Sequence, residues 1–135
     1  MVEVPGALEI PTAIRLASKH FSGFVALGCV IRGETSHYDT VSNESSRALS
    51  YLGLEGICIG NGILTVENYE QAASRADTSG QNKGGHAAIA SLKLLEIRYK
   101  FSQKQSDWLD TDIVSMRHDN LKNAHIKKSA SRLYA

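Results

Sequence analysis

The stretch Phe24-Val25-Ala26-Leu27-Gly28-Cys29-Val30-Ile31 is an uninterrupted apolar run. Its side chains do not alternate between apolar and polar, a pattern typical of a strand covered on both faces in a parallel sheet. The polar loop Arg32–His37 follows at once. Because ligands bind beyond the carboxyl ends of parallel strands, the sequence predicts a buried strand over Phe24–Ile31 and a binding edge where it ends.

The segments around this run alternate between strand and helix patterns. This order predicts an α/β fold with right-handed parallel crossovers. The other predicted elements are, in chain order, a strand end at Val2–Pro5, a helix from Pro11 to Gly23, a helix at Tyr38–Leu54, a strand at Ile57–Ile59, a helix at Val66–Ala76 and a helix at His86–Phe101.

Three details of these elements bear on the site. Gly60–Thr65 is predicted to be a second strand-exit loop, in which Thr65 caps the following helix. The turn ahead of Pro11 lies at the same edge if the opening residues end a strand. The fourth helix is predicted to turn three apolar residues towards the core, Ile89, Leu92 and Leu95.

The charges nearly balance, with Lys+Arg 15 against Asp+Glu 14. A formal net charge of +1 favours neither nucleic acid nor an anionic membrane as a partner. No apolar run approaches the roughly 20 residues that span a bilayer, and no secretion signal is recognised. Cys29 and Cys58 lie within apolar runs and are expected to be buried free thiols. We therefore expect a cytoplasmic protein.

His37 is the first candidate for chemistry. It shares a Gly-containing loop with Arg32, Glu34 and Thr35 at the predicted binding edge. A neutral imidazole there could relay protons near pH 7. The alternative is an ordinary surface or capping histidine, and the loop alone does not separate the two.

A second cluster contains Arg75, Lys83 and Gly84-Gly85. Arginine offers a two-pronged donor, and glycines at a helix start expose backbone amides, so one interpretation of this cluster is a phosphate site. The alternative is a solvated helix end. The chain has no Walker spacing, no dinucleotide-binding glycine motif and no zinc spacing, so no Walker-type nucleotide site, dinucleotide site or zinc site is expected. Whether Glu9 and Glu34 form a carboxylate pair is left open, because the sequence does not fix the distance between them.

Four ordered motifs resemble the lumazine synthase family. Val4–Pro11 resembles the family's V-P-G-[AS]-x-E-[IL]-P turn, and Ala26–Asp39 resembles its A-[LI]-G-x-[VL]-I-R-G-x-T-x-H-[FY]-D signature. Gly62–Thr65 and Asn82–Gly84 fall in the family's order and spacing. The resemblance covers about Val2 to Phe101. It implies a three-layer αβα sandwich with a mainly parallel, flavodoxin-like sheet.

The resemblance also implies a reaction. Members of the family are transferases of riboflavin biosynthesis that join 5-amino-6-(D-ribitylamino)uracil to 3,4-dihydroxy-2-butanone 4-phosphate, without a cofactor. It assigns proton transfer to His37 and phosphate binding to Glu34, Thr35 and Arg75. The residues that it implies for the pyrimidine and its ribityl chain are Ala7, Leu8, Glu9, Cys29, Val30 and Ile31.

Assembly is implied as well, because the family forms pentamers and pentamer-based capsids. Asn61 falls where many members place a Phe that reaches into the neighbouring subunit's pocket. An alternative role for this chain is therefore that of an inactive or fragmentary member that retains only a shell or assembly function.

The two ends of the chain depart from the family pattern. The sequence starts at the end of the family's second strand, so the family's first strand and helix are not present and the domain at 1–101 is expected to be N-terminally truncated. Their absence is expected to leave an unpaired strand edge and exposed apolar surface. Residues 102–135 do not resemble the family and are expected to form a poorly ordered tail.

Overall fold

The computed structural model of the chain describes residues 1–103. Met1–Glu96 form one compact unit, and a second unit begins at Ile97. Most of the tail predicted from residue 102 therefore lies outside the described residues. The elements are α1 at Ile10–Ala17, β1 at Gly23–Ile31, α2 at His37–Leu54, β2 at Cys58–Val66, α3 at Tyr69–Ala76 and α4, which is helical through described residues 83–103.

β1 and β2 form a parallel two-stranded sheet among the described residues. Gly23 lies opposite Cys58, and the pairing continues without a break to Ile31 opposite Val66. The connection between the strands passes through α2, as a parallel crossover requires. The α/β fold with a parallel sheet is thus confirmed, and it is consistent with a flavodoxin-like arrangement. The prediction of a strand end at Val2–Pro5 was wrong, because this segment is irregular.

One face of the sheet packs against α1 and α2. Its buried cluster joins Ile14 of α1, Ala26 of β1, and Leu49 and Leu52 of α2. Partly buried residues extend this core along both strands, namely Ile10, Phe24, Ile57, Ile59 and Ile63. The predicted extent of α1 was too long, because the helix ends at Ala17 and Phe21 is 65% exposed.

α4 packs against the opposite face, chiefly on β2. A Cβ atom on Gly60 would overlap the Ala87 carbonyl oxygen and lie 2.6 Å from its carbonyl carbon, so helix and strand backbones touch. The Ser91 hydroxyl donates to the Cys58 carbonyl at 3.4 Å. The small residues Ala87 and Ser91 therefore face the sheet. The prediction for Ile89 and Leu92 was wrong, since they are 58% and 64% exposed on the other side of the helix.

The same face of β1 is largely uncovered. Val25, Leu27 and Ile31 are 42%, 55% and 43% exposed, and Cys29 between them is exposed as well. We call these four residues the outer row of β1. The expectations of a strand covered on both faces and of a buried Cys29 were thus wrong, whereas Cys58 is buried as predicted. Among the described residues β1 pairs only with β2, and an apolar row on a strand with one unpaired edge favours association.

Val25→Lys is expected to weaken self-association of the chain by about tenfold. Burying a valine side chain contributes roughly 1.5 kcal/mol, and a charge at that position would have to be desolvated instead. Sedimentation velocity over a range of concentrations measures the effect. The control is Leu16→Lys on α1, where the leucine is 75% exposed and outside the outer row. Equal association of the two variants would show that the outer row makes no contact between copies.

Candidate functional site

The candidate site begins where the two strands end together. Ile31 and Val66 are paired, and the Arg32 backbone N–H donates to the Val66 carbonyl at 2.9 Å just beyond them. A loop follows, and His37 opens α2. The predicted position of His37 at the carboxyl edge of the sheet is therefore what the structure shows.

The His37 imidazole lies on the surface at the start of α2. Glu34, Thr35 and His37 are all exposed. The His37 backbone N–H donates to the Thr35 hydroxyl at 3.4 Å, a long contact that closes the loop loosely. Ser36 occupies the N-cap position without a capping hydrogen bond from its side chain. The loop and the start of α2 thus present an imidazole and several hydrogen-bond donors and acceptors to solvent.

Arg32 connects three segments at this edge. Its Nε donates to Glu67 at 2.9 Å, and its Nη1 donates to Asp39 at 3.2 Å. The guanidinium carbon lies 4.0 Å from the centroid of the Tyr38 ring. The hydrogen bond to Glu67 is the main cause that raises the pKa of Arg32, and Asp39 adds to it. Sequence reasoning treated Arg32 as one donor of the loop and missed both carboxylates.

The segments assigned to the pyrimidine reach the same edge. Cys29, Val30 and Ile31 are the last residues of β1. Ala7, Leu8 and Glu9 form the turn ahead of α1. The helix starts over the later half of β1, because a Cβ on Gly28 would lie 3.5 Å from the Ile10 Cδ1 atom. The turn ahead of α1 therefore lies toward the carboxyl end of β1.

Asn61 does not lie at the carboxyl edge of the sheet. The predicted exit loop at Gly60–Thr65 was wrong, because this stretch belongs to β2 and Asn61 pairs with Ala26 in mid-strand. At about 3.3 Å per residue, Asn61 is roughly 16 Å from the strand end at Val66. Its side-chain oxygen accepts a hydrogen bond from the Ile63 N–H at 3.0 Å, and the residue is exposed.

The start of α3 also differs from the prediction. Thr65 is a strand residue, and the helix begins only at Tyr69. Its cap is Asn68, whose side-chain oxygen accepts from the Gln71 N–H at 2.9 Å. Arg75 is half-buried in the last turn, where its Nη1 donates to the Gln71 carbonyl at 3.1 Å.

The backbone N–H groups at the start of α4, which were predicted to bind a phosphate, are only partly free to do so. Asn82 adopts a positive φ of 44° and its side-chain oxygen accepts from the Gly85 N–H at 3.1 Å. The prediction that the Gly85 amide is exposed for an anion was therefore wrong, because the helix supplies its own cap. Gly84 lies beside the outer row, since a Cβ there would be 3.7 Å from a Leu27 methyl group. Lys83 is exposed.

A separate groove of about 370 Å³ lies between α1 and α2. Its lining contains none of the predicted site residues and consists of Pro11, Thr12, Arg15, Arg47, Ala48, Tyr51 and Leu52. Among residues 1–103, no cluster of histidine, cysteine and carboxylate side chains is suited to hold a metal ion. Within the same range, no helix is long and apolar enough to cross a membrane.

Comparison with known proteins identifies the family. The family model for 6,7-dimethyl-8-ribityllumazine synthase matches residues 1–98. The 6,7-dimethyl-8-ribityllumazine synthase of Jannaschia sp. (strain CCS1) is 63% identical over 98 residues, which are 71% of this chain and 55% of that protein. The enzyme of the same name from Sphingopyxis alaskensis is 58% identical over 102 residues, covering 74% of this chain and 72% of the relative.

The similarity extends to other bacteria. The 6,7-dimethyl-8-ribityllumazine synthase of Agrobacterium fabrum is 56% identical over 108 residues, covering 74% of this chain and 73% of the relative. The chain thus spans from about half to about three quarters of the length of these relatives. Both the matched range and the identities exceed what a shared fold alone would produce, and the chain belongs to the 6,7-dimethyl-8-ribityllumazine synthase family, whose members are transferases of riboflavin biosynthesis.

Proposed function

We propose that this chain acts as a lumazine synthase. It condenses 5-amino-6-(D-ribitylamino)uracil with 3,4-dihydroxy-2-butanone 4-phosphate to 6,7-dimethyl-8-ribityllumazine and releases phosphate and water. The supporting observation is that the signature Ala26–Asp39 folds as one strand, loop and helix start, which brings Cys29–Ile31 and His37 to one edge of the sheet. The proposed compartment is the cytoplasm.

The chemistry suits these residue types. An amine attacks a ketone to form an imine, phosphate leaves by β-elimination, and a second amine closes the ring. Each step needs proton transfer, which an exposed imidazole at a helix start supplies by accepting and returning a proton. The strand end contributes by orienting the pyrimidine against the keto-phosphate. None of these steps requires a strong nucleophile from the protein.

The keto-phosphate is assigned to Glu34, Thr35 and Arg75. Thr35 and Glu34 belong to the loop that precedes His37, and Arg75 provides a guanidinium that binds phosphate oxygens with two donors. Arg75 contacts the Gln71 carbonyl through Nη1. The guanidinium has five N–H donors, so donors remain for an anion.

We further propose that the site is completed by another copy of the chain. The polar candidates Glu9, Glu34, Thr35 and His37 are exposed, which leaves one side of the site open. Asn61 is exposed but roughly 16 Å along β2 from the strand end, so it would serve a neighbouring copy better than its own. The proposed assembly is a homo-oligomer, either a pentamer or a capsid built from pentamers.

The direct test is product formation. The chain is mixed with both substrates, and the absorbance of the lumazine product is followed together with phosphate release. Omission of either substrate is the control. Product formation at a rate proportional to protein concentration supports the proposal. Assembly into oligomers without any product above the uncatalysed rate would contradict it and favour the role of an inactive shell protein.

Arg75→Ala is expected to raise the KM for the keto-phosphate by about ten- to a hundredfold. Hydrogen bonds between charged groups contribute roughly 1.5–3 kcal/mol, which corresponds to this range. The KM for the pyrimidine should change little, because Arg75 is assigned to the phosphate alone. Arg15→Ala on α1 is the matched control, since Arg15 is an exposed arginine paired with Glu55. An unchanged keto-phosphate KM would remove Arg75 from the site.

A further inference from the structure

The side chain of Arg32 contacts residues on the far side of the loop that leads to His37. Arg32 lies directly before the loop, and its contacts Tyr38 and Asp39 lie directly after His37. A single guanidinium therefore joins both ends of the segment and fixes the separation of the strand end from the helix start.

The same guanidinium ties the loop to the second strand. Glu67 follows Val66 at the end of β2 and accepts from Arg32 Nε at 2.9 Å. Glu67 is held in turn by its backbone N–H, which donates to the Gln71 side chain at 3.0 Å at the start of α3. Movement of the loop relative to β2 and α3 would break these contacts.

Other side-chain restraints on the loop are weak. Gly33 has open space where a side chain would be, and the residues from Arg32 to His37 are exposed. The contact between the His37 N–H and Thr35 is long at 3.4 Å. The Ser36 carbonyl accepts from the Asp39 and Thr40 N–H groups at 3.0 and 3.3 Å, which holds the end of the loop to α2, and the arginine contacts are the side-chain links that join the two ends of the loop.

These contacts contribute more to position than to stability. The side chains of Arg32, Asp39 and Glu67 are 40%, 54% and 57% exposed, and ion pairs this exposed contribute little to the free energy of unfolding. Arg32 is also poorly suited to bind the substrate phosphate. One cation lies between two carboxylates, so the cluster has a net negative charge and repels an anion.

We propose that Arg32 is a positioning residue that holds the loop at 33–36, and with it His37, at the strand edge. Its effect on turnover rests on the function proposed above, whereas its effect on the loop does not. Arginine is required for this role because its planar fork reaches two carboxylates while its face lies over Tyr38, which a lysine ammonium cannot reproduce.

The test compares Arg32→Met and Arg32→Lys with Arg47→Met. Arg47 is the matched control because it pairs with Glu44 on α2 and has no contact with the loop. Amide hydrogen exchange at His37, Asp39 and Thr40, whose N–H groups donate to Thr35 and Ser36 of the loop, should accelerate about tenfold or more in Arg32→Met, and less in Arg32→Lys, while exchange in the core strands stays as in the parent. Exchange in Arg47→Met should match the parent in both regions.

A second variant keeps the inference testable if Arg32→Met fails to fold. Asp39→Asn combined with Glu67→Gln keeps the guanidinium but removes both ion pairs, and it should accelerate exchange at the same three amides. In an active chain, Arg32→Met should lower kcat by about tenfold to a hundredfold, because small displacements of a catalytic group cost this much. The KM for the keto-phosphate should change less than kcat.

The outcomes are separable. Unchanged loop exchange in both Arg32→Met and the double variant overturns the inference, whether or not the chain is active. If the parent chain is inactive but exchange is faster in the Arg32 variants than in the parent, the role of Arg32 in the loop stands and the proposed function is contradicted. A rise in keto-phosphate KM without a fall in kcat would also overturn the inference, because it would mean that Arg32 binds the phosphate directly.

Discussion

Gly60→Ala should destabilise the fold by about 3 kcal/mol or more, enough to unfold much of the population in a marginally stable domain. The added Cβ would overlap the carbonyl oxygen of Ala87 and lie 2.6 Å from its carbonyl carbon. Both atoms belong to the helix backbone, so no rotamer change relieves the overlap. α4 would have to move away from β2 as a whole.

Such a movement would also affect neighbouring contacts. The Ser91 hydroxyl would lose its hydrogen bond to the Cys58 carbonyl, and the packing of Ala87 on Gly62 would open. Urea denaturation followed by circular dichroism measures the free energy of unfolding directly. The expected result is a lower midpoint, or a chain already unfolded without denaturant.

Gly53→Ala provides the matched control. Gly53 lies near the end of α2, and a Cβ atom there would meet nothing within 4 Å beyond its chain neighbours and its own helix backbone. Because glycine is a poor helix former, alanine there should leave stability unchanged or raise it by up to about 1 kcal/mol. If Gly60→Ala and Gly53→Ala had the same stability, the close contact between α4 and β2 would be disproved.

The same glycine explains an error of sequence interpretation. Gly60-Asn61-Gly62 carries the residue types of a turn, and the sequence therefore predicts that the strand ends at Ile59. In the structure the strand continues to Val66, and the glycines serve the close approach of α4. Local composition cannot separate these cases, because a turn and a backbone contact both require the absence of a side chain.

The orientation of α4 was unpredictable for a related reason. The pattern of large apolar residues favours Ile89 and Leu92 as the buried face, yet Ala87 and Ser91 face the sheet. A helix whose backbone touches a strand at its glycine residues must turn its own small residues toward that strand. The exposed apolar side chains of α4, like the outer row of β1, form surface that the described chain itself does not cover.

Prediction from sequence was more successful for elements that follow one another directly in the chain, such as β1, the loop after it and α2. β1 and α2 were predicted to within one residue at each end, and the position of His37 at the carboxyl edge follows from this order. The contacts of Arg32 with Glu67 were not predictable, because they join residues that follow two strands whose register is known only from the fold. Sequence patterns thus place a loop but not the side chains that restrain it.

His37→Ala is expected to lower kcat by about a hundredfold to ten-thousandfold, the usual contribution of a general acid–base group. The dissociation constant of the pyrimidine should stay nearly the same, because that ligand is assigned to the strand end and the turn ahead of α1. Steady-state rates and calorimetric titration of the pyrimidine measure the two quantities separately.

The structure indicates that His37→Ala should leave the fold intact, so that a change in rate can be attributed to the imidazole. His37 is exposed at the first position of α2, so alanine removes an imidazole without leaving a cavity in the core. His20→Ala is the matched control, since His20 is another exposed histidine and lies outside the site, in the turn after α1. A fall in kcat confined to His37→Ala assigns proton transfer to this imidazole. Equal rates for both variants and the parent would mean that the reaction obtains its proton carrier from the substrates or solvent.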